Sequence, residues 1–219
     1  MTNQEEITKR VRAHQIYRNS AGEIVPGVTT VLNVLNKPAL AKWANNLGLQ
    51  GIDSTKYVDK LAGIGTLAHS MVECHLMGSA PDVSEYSPDD VEKAKKPLEK
   101  YLQWEKEQEL EPILIERLLV SEKFGFGGQI DLYAKLNGKL FLIDLKTCKA
   151  IYPEHFHQLA AYKQLLVENG YPVDDTMILR IGRSEYEGFE SKFGVKLNIH
   201  WGIFSHTLAV WKLKEKLKQ

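Results

Sequence analysis

Two aspartates and a lysine stand in an otherwise apolar part of the sequence, residues 129–146. Asp131 precedes the pair Asn137-Gly138, and Asp144 and Lys146 follow it, with runs of Ile, Leu, Phe and Tyr between them. Carboxylates are ligands that Mg²⁺ uses in proteins, together with waters and the phosphate oxygens of a substrate. These residue types make the stretch a candidate site for a divalent metal ion.

The pair Asn137-Gly138 determines how the two carboxylates face one another. It favours a two-residue type I′ turn, because both central positions of that turn need a positive φ. A hairpin with this turn pairs Leu136 with Lys139 and places Asp131 directly opposite Asp144. One face then carries the carboxylates and the other face is apolar. The apolar positions are Ile130, Leu132, Ala134, Leu136, Phe141, Ile143 and Leu145.

Facing carboxylates need something to offset their repulsion. Side chains paired across a hairpin have β-carbons roughly 4.5–5.5 Å apart, and like charges at that distance destabilise the pair. A divalent cation held between Asp131 and Asp144 would remove the repulsion, and Lys146 shares the face of Asp144. The alternative is a solvated edge hairpin with scattered charges. The register brings two carboxylates together and therefore favours the metal site.

The composition is that of an ordinary globular protein. The chain has 219 residues, of which 43% are hydrophobic and 26% are charged, and this predicts one domain, residues 1–219. Within it we expect a mostly helical part over 1–111, a catalytic sheet and helix over 112–200, and a C-terminal helix over 201–219. Lysine and arginine number 28, as do aspartate and glutamate, so nucleic-acid binding would require a local basic channel.

The cysteines and the N-terminus argue against several classes of protein. Cys74 and Cys148 are the two cysteines of the chain, too few for a disulfide framework or for the ligands of an iron–sulfur cluster. The start of the sequence lacks an apolar leader segment, and no run of about eighteen apolar residues occurs. We therefore expect a reduced, cytoplasmic protein with no membrane segment.

Local patterns predict the elements that position these residues. The predicted helices cover 31–35, 38–44, 67–77, 89–109, 153–169 and 206–218, with a kink at Pro97 and with Pro112 closing the fourth helix. Besides the hairpin around 137–138, the predicted strands cover 113–121, 177–181 and 196–199, and a short hairpin covers 14–25. Together they predict one sheet with helices packed against it.

Polar residues on two predicted helices are further candidates. Gln158 and Tyr162 stand four residues apart and share one helix face. Such a pair usually forms the polar boundary of a buried helix face. His69 falls in the first turn of its predicted helix and is either a ligand or a structural histidine. His155 and His157 suggest a rival metal pair, but a helix turns their side chains some 200° apart.

Four short motifs, taken in order, resemble those of one nuclease family. They are Gly65-Thr66-x-x-His69, Gly127-Gly128-Gln129-Ile130-Asp131, Asp144-Leu145-Lys146 and Gln158-x-x-x-Tyr162. With them the chain resembles the RecB-like exonuclease branch of the PD-(D/E)XK nuclease superfamily, which includes phage exonucleases and the mitochondrial genome maintenance exonuclease. Residues 28–43 also look like phage members of the branch. Ile130 replaces the proline of the superfamily's name, and the missing cysteine quartet excludes the iron–sulfur subgroup.

The resemblance implies a fold and a metal site. The fold is α/β, a restriction-endonuclease-like core with a mixed central β-sheet flanked by helices and with an N-terminal helical elaboration. The implied ligands of Mg²⁺ or Mn²⁺ are His69, Asp131, Asp144 and the backbone carbonyl of Leu145, with Glu116 as an additional one.

The resemblance also implies roles in catalysis. Lys146 would orient or deprotonate the attacking water, and its ammonium would stabilise the developing negative charge. Gln158 and Tyr162 would position the lysine or the scissile strand.

The resemblance implies a metal-dependent DNA exonuclease that acts in phage-type recombination, repair or DNA processing. Its expected location is a bacterial or phage-infected host cytoplasm. The expected partners are single-stranded DNA or DNA ends. In addition, the chain is expected to form a homo-oligomer or to bind a recombination protein. Lys42, Trp43, Arg180 and Arg183 are candidates for lining the DNA path; the alternative for each is a surface charge or a core tryptophan. An endonuclease or resolvase of the same superfamily and a catalytically inert nucleic-acid-binding module are the alternative functions.

Overall fold

The computed structural model of the chain describes residues 15–35, 37–182 and 187–218. Its helices are α1 (Val28–Leu32), α2 (Pro38–Leu49), α3 (Ser54–Leu76), α4 (Pro88–Glu105), α5 (Pro153–Glu168) and α6 (Leu197–Lys216). Its strands are β1 (Tyr17–Arg18), β2 (Ile24–Val25), β3 (Leu110–Ser121), β4 (Phe126–Leu136), β5 (Lys139–Lys146), β6 (Asp175–Ile181) and β7 (Phe189–Phe193). The predicted residues His14 and Arg183 lie outside the described ranges.

The central sheet is mixed, as predicted. Its five strands follow the order β3-β4-β5-β6-β7. The pair β5 and β6 is parallel, with α5 as the crossover, and the other neighbours are antiparallel. Strands β1 and β2 form a separate two-stranded hairpin. With helices on both sides of the sheet, the predicted α/β architecture of a mixed central sheet flanked by helices is confirmed. No described helix combines the length and the hydrophobicity that crossing a membrane requires.

The hairpin of β4 and β5 has the predicted register. Asn137 and Gly138 have φ values of 49° and 83°, the positive angles that a type I′ turn needs. Leu136 pairs with Lys139, and the ladder continues to the pair of Leu132 and Ile143. Asp131 and Asp144 are the next residues along the two strands, so both carboxylates belong to the same end of the hairpin.

The two faces of the sheet bury different clusters. Tyr133 and Leu142 pack in a cluster with α1, α5 and α6, while Leu132 and Ile143 pack with α3 and α4. The prediction that Ile130 shares the face of Leu132 is wrong, because Ile130 belongs to the first cluster. The alternation of faces therefore breaks between these two residues of β4, at Asp131.

Helix α3 begins much earlier than predicted. Its first residue is Ser54, where the side chain of Asp53 accepts hydrogen bonds from the backbone N–H groups of Thr55 (2.9 Å) and Lys56 (3.2 Å). Such a cap satisfies donors that the helix itself leaves unpaired. His69 consequently lies deep in the helix and not in its first turn, which corrects the prediction.

Residues 196–199 do not form the predicted strand. Lys196, with a φ of 52°, is the N-cap of α6, and the strand that pairs with β6 is β7. The helix buries Phe204, Thr207 and Leu208, a spacing of three and four residues that fixes one helical face against the core.

Three further predicted boundaries differ from the structure, in α2, α4 and β3. Helix α2 begins at Pro38, as predicted, but continues to Leu49. Pro97 lies inside α4 and does not break it, and α4 ends at Glu105. Pro112 is part of β3, beside an irregularity in the pairing with β4.

Candidate active site

Three acidic or imidazole side chains from three different elements converge at the end of the central hairpin. His69 of α3, Glu116 of β3 and Asp131 of β4 each offer one ligand atom, and these atoms all lie within 4.8 Å of one another. Asp131 is 8% exposed. Glu116 was predicted as an additional ligand, and its carboxylate lies with His69 and Asp131 in this group.

A backbone irregularity brings Glu116 and Asp131 together. Arg117 pairs with Ile130 and Ile115 pairs with Leu132, so the ladder of β3 and β4 is interrupted at the two acids between them. Glu116 has a φ of 46°, a left-handed conformation that is uncommon in residues other than glycine. Strained backbone of this kind persists where the surrounding structure over-determines it and clusters at functional sites. Here the positive φ of Glu116 coincides with the break at Asp131 in the alternation of side chains between the two faces of the sheet.

Asp144 and Lys146 form a buried ion pair at the end of β5. The Nζ atom of Lys146 lies 2.5 Å from Oδ2 of Asp144, whose side chain is 1% exposed. The backbone N–H of Leu145 donates to Oδ2 of Asp131 over 2.8 Å, and the carbonyl of Leu145 accepts from Lys146 over 3.4 Å. The repulsion expected between the two aspartates is thus offset by one ammonium and one backbone N–H.

The carboxylates keep Lys146 protonated. Burial alone would lower the pKa of this amine, but the charges of Asp144 and Asp131 act more strongly together, and the net effect raises the pKa above its ordinary value. The side chain of Lys146 keeps 16% of its surface exposed. At neutral pH it is therefore an ammonium that reaches the solvent edge of the site.

Helix α5 closes the other side of the carboxylates. The side-chain amide of Gln158 donates to the hydroxyl of Tyr162 over 2.8 Å, so the predicted pair shares one face. Burial, followed by the charges of Asp144 and Asp131, raises the pKa of Tyr162 well above its ordinary value. Gly128 permits this close packing, because a Cβ there would lie 2.7 Å from Cε1 of Tyr162.

A cavity extends from His69 along α3. It measures about 360 Å³ and is lined by Val58, Leu61, Ala62, Gly65, Thr66, His69 and Thr147. Gly65 lets α3 approach the residue that follows β5, since a Cβ there would lie 2.6 Å from Oγ1 of Thr147. Sequence reasoning missed Val58 and Leu61 because it began the helix at Leu67. Their spacing from Thr66 and His69 is the signal that a correct helix start would have revealed.

The predicted DNA-path residues have different surroundings. Arg180 is 8% exposed; its guanidinium lies 3.2 Å from Glu190 and also donates to the carbonyl of Glu187, which ties β6 to β7. Lys42 is exposed. Trp43 is 37% exposed, and its ring centroid lies 6.0 Å from that of Tyr57. The role of these residues in DNA binding stays a prediction, which burial of Arg180 disfavours.

The two histidines of the rival metal pair point to different neighbours. Nδ1 of His155 accepts from the backbone N–H of Tyr152 over 3.3 Å, whereas Nδ1 of His157 lies 2.8 Å from Nδ1 of His200 on α6. Burial first, and then the charges of Lys146 and Lys37, lower the pKa of His155 to about 4. His155 is therefore near enough to Lys146 to sense its charge, a position that sequence reasoning did not assign.

The sequence matches one known family. The profile of the PD-(D/E)XK nuclease superfamily matches residues 38–192, a range that contains all four motifs. No curated protein matches the sequence. Among solved structures, a candidate exonuclease from Eubacterium rectale is 11% identical with a TM-score of 0.48, covering 65% of this chain and 64% of that one. An alkaline exonuclease from Laribacter hongkongensis is 12% identical with a TM-score of 0.40, covering 88% of this chain and 92% of that one. The chain thus spans just under two thirds of the length of the Eubacterium protein.

Proposed function

The chain belongs to the PD-(D/E)XK nuclease superfamily, and from this premise we propose that it is a Mg²⁺- or Mn²⁺-dependent DNA exonuclease. The superfamily's nuclease chemistry is the hydrolysis of phosphodiester bonds. The observation that carries the proposal is the convergence of His69, Glu116 and Asp131, whose ligand atoms lie within 4.8 Å of one another. This group adjoins the buried pair of Asp144 and Lys146 through the hydrogen bond between Asp131 and Leu145.

The donor set fits a divalent cation. Carboxylate oxygens suit Mg²⁺ and Mn²⁺, and one imidazole is accepted more readily by Mn²⁺. His69, Glu116 and Asp131 would hold the ion, with Asp144 and the carbonyl of Leu145 as the further ligands that the family resemblance implies. Bound there, the ion would neutralise phosphate charge and lower the pKa of a coordinated water.

Lys146 supplies the positive charge that the chain itself brings to the phosphate. Its pairing with Asp144 at 2.5 Å favours the ammonium form, which can donate to the attacking water and stabilise charge on the phosphate. We therefore assign Lys146 to orienting the water and stabilising the transition state, rather than to removing the proton of the water. Tyr162, hydrogen-bonded to Gln158, stays a neutral hydroxyl that helps to position the reacting strand.

The cavity beside His69 supports action on a DNA end. Its walls are apolar at Val58 and Leu61 and it reaches the metal-binding group at His69, so a terminal base could enter it while its phosphate meets the ligands. Lys42 and Trp43 of α2 would extend this path by contacting phosphates and stacking on a base. Recombination or repair of phage type is the setting that we propose for such an activity.

The alternative functions differ in substrate access or in chemistry. An endonuclease or resolvase would use the same residues on an internal phosphodiester. A catalytically inert binding module is disfavoured, because the carboxylates of Glu116, Asp131 and Asp144 would repel phosphate without a metal ion.

Hydrolysis of end-labelled DNA tests the proposed activity. The wild-type protein is incubated with linear DNA in Mg²⁺, in Mn²⁺ and in excess chelator, beside an Asp131→Ala variant purified identically. We expect nucleotide release with either ion and none with chelator or with the variant. Equal release in chelator, or by the variant, would contradict the assignment.

A further inference from the structure

The outer side of α6 carries a regular apolar stripe. It consists of Ile199, Ile203, His206, Val210, Leu213 and Leu217, at successive intervals of four, three, four, three and four residues. Apart from His206, every position is apolar, and all six are exposed. Such intervals define the seam along which two helices pair in a coiled coil.

This stripe lies on a different side of α6 from the face by which the helix joins its own domain. The inner face buries Phe204, Thr207 and Leu208. Along the outer face the exposed fractions are 54% at Ile199, 46% at Val210 and 62% at Leu213. At 100° per residue, the mean directions of the two sets differ by roughly 130°. A helix docked on the stripe would therefore meet no obstacle from the inner face.

We propose that this stripe pairs with the same stripe of a second copy of the chain, in an antiparallel arrangement about a two-fold axis. Centred near Leu208, this arrangement places Ile199 against Leu217 of the partner subunit and Ile203 against the partner's Leu213. Because a two-fold contact uses the same patch on both copies, each of these contacts occurs twice. His206 then faces the partner's Val210, where one polar group restricts the register.

The charges of α6 favour the antiparallel direction. Lysines occupy positions 212, 214, 216 and 218 with one acid, Glu215, among them, whereas residues 197–211 contain no Asp, Glu, Lys or Arg. A parallel pair would bring both lysine-rich ends together. The antiparallel pair separates the two lysine-rich ends along the helix axis and places each beside the N-terminal half of the partner helix. In that half the nearest lysine is Lys196, at the N-cap.

Small side chains on the flank of the stripe permit close approach. Gly202 and Ala209 stand seven residues apart beside the seam, and a Cβ at Gly202 would meet nothing within 4 Å. In the antiparallel pair, Ala209 lies next to its own symmetry mate at the centre of the contact. The apolar seam, the small flank and the separated charges all fit a second copy of this chain.

The oligomeric state of the full chain tests the proposal. Sedimentation equilibrium across a concentration series should give a dimer for the wild type and a monomer for Leu213→Glu, which places a carboxylate against Ile203 of the partner subunit. Leu49→Glu is the matched control, since Leu49 is 79% exposed on α2; this variant should remain a dimer. A monomeric wild type, a dimer that survives Leu213→Glu, or a dimer broken by Leu49→Glu would overturn the proposal.

A gain of affinity makes the test independent of any loss of folding. His206→Leu completes the apolar seam in both copies, and we expect the dimer dissociation constant to fall by at least roughly tenfold. An unchanged or larger dissociation constant would contradict the proposed seam.

Disulfide cross-linking tests the direction of the pair. Under oxidation, Ala209→Cys should cross-link across the axis, whereas Ile203→Cys should not, because its symmetry mate lies several turns away. The wild type, with Cys74 and Cys148, is the background control. Cross-linking at position 203 and none at 209 would indicate a parallel pair and overturn the proposed arrangement.

Discussion

At the scale of single residues, the ion pair between Asp144 and Lys146 determines what one substitution does to the fold. Charge repulsion between facing aspartates would make Asp144→Ala stabilising. The 2.5 Å contact with Lys146 reverses that sign, because removing one partner of a buried pair leaves the other charge uncompensated.

We therefore expect Asp144→Ala to lower the free energy of unfolding by roughly 3 kcal/mol, at the lower end of the usual range because Lys146 is partly exposed. Urea denaturation at pH 7 measures the change. The double variant Asp144→Ala/Lys146→Met, which removes both charges, should recover at least half of the loss. A single variant as stable as the wild type would show that the pair does not stabilise the fold.

Asp131→Ala, Asp144→Ala and Lys146→Ala should each abolish hydrolysis.

At the same scale, we expect Glu116 to contribute to metal binding. Because its carboxylate lies with His69 and Asp131, Glu116→Gln should weaken Mn²⁺ binding at least tenfold, as measured by calorimetry or by the spectrum of the free ion. His69→Ala should also weaken it, with hydrolysis partly restored at high Mn²⁺. Glu111→Gln, the same change at an exposed position of β3, serves as the control. Equal affinity in Glu116→Gln and Glu111→Gln would remove Glu116 from the site.

His155 gives the fold a dependence on pH. Its pKa is about 4 in the folded chain and about 6.5 when unfolded. Between these values the unfolded chain binds a proton that the folded chain does not. Stability is therefore complete above about pH 6.5 and falls as the pH drops towards 4.

The expected loss from His155 over this range is roughly 3 kcal/mol, and His155→Gln should remove it. Burial also lowers the pKa of His157 and His200, so a weaker slope of the same sign should persist. Urea denaturation at intervals from pH 7.5 to pH 4 measures both slopes. Identical slopes in the two proteins would show that His155 titrates alike in the folded and unfolded chain.

At the scale of elements, the position of α3 depends on one glycine. A Cβ at Gly65 would lie 2.6 Å from Oγ1 of Thr147, whereas a Cβ at Gly63 meets nothing within 4 Å. Gly65→Ala should push α3, and with it His69, away from the carboxylates, and so reduce both stability and hydrolysis.

Two further variants separate this close approach from general effects of helix propensity. Gly63→Ala, in the same helix, should raise stability by about 0.5–1 kcal/mol. Thr147→Ala removes the obstructing oxygen and should restore the activity of Gly65→Ala in the double variant. Thermal unfolding and hydrolysis rates measure the set. If Gly65→Ala behaves like Gly63→Ala, the contact with Thr147 does not position the helix.

Elements set by local chemistry could be predicted from the sequence, and those set by distant contacts could not. The hairpin follows from Asn137-Gly138, and α5 from Pro153 and Gly170, since each signal lies within its own element. Residues 196–199 alternate like a strand over four positions, too few to reveal that the following residues pack as one helix. The sequence pattern places the start of this helix at Leu67, because Gly63 and Gly65 favour a helix boundary, although Asp53 caps α3 further upstream.

The same distinction applies to the candidate site. Asp131, Asp144 and Lys146 could be identified because the turn fixes their register. The central position of Glu116 could not, because it depends on a φ of 46° and on the interruption between β3 and β4. The interruption lies where successive residues of β4 begin to pack in a different hydrophobic cluster. Tertiary packing determines that position.

At the scale of the whole molecule, the candidate site lies at the end of the central hairpin, between helices that pack on opposite faces of the sheet. Helix α3 packs on one face of the sheet and supplies His69, while α5 packs on the other and supplies Gln158 and Tyr162. The cavity along α3 opens from this junction. We propose an exonuclease because a terminal base could enter that cavity while its phosphate meets His69, Glu116 and Asp131.

The most direct test compares linear DNA with covalently closed circles of the same sequence, both single- and double-stranded, during incubation with Mg²⁺. The linear molecules carry separate labels at each terminus, and Asp131→Ala is run in parallel to detect contaminating nuclease. We predict that the wild type degrades linear DNA to short products while the circles survive. Rapid linearisation of the circles by the wild type, and none by the variant, would contradict a requirement for DNA ends and indicate an endonuclease.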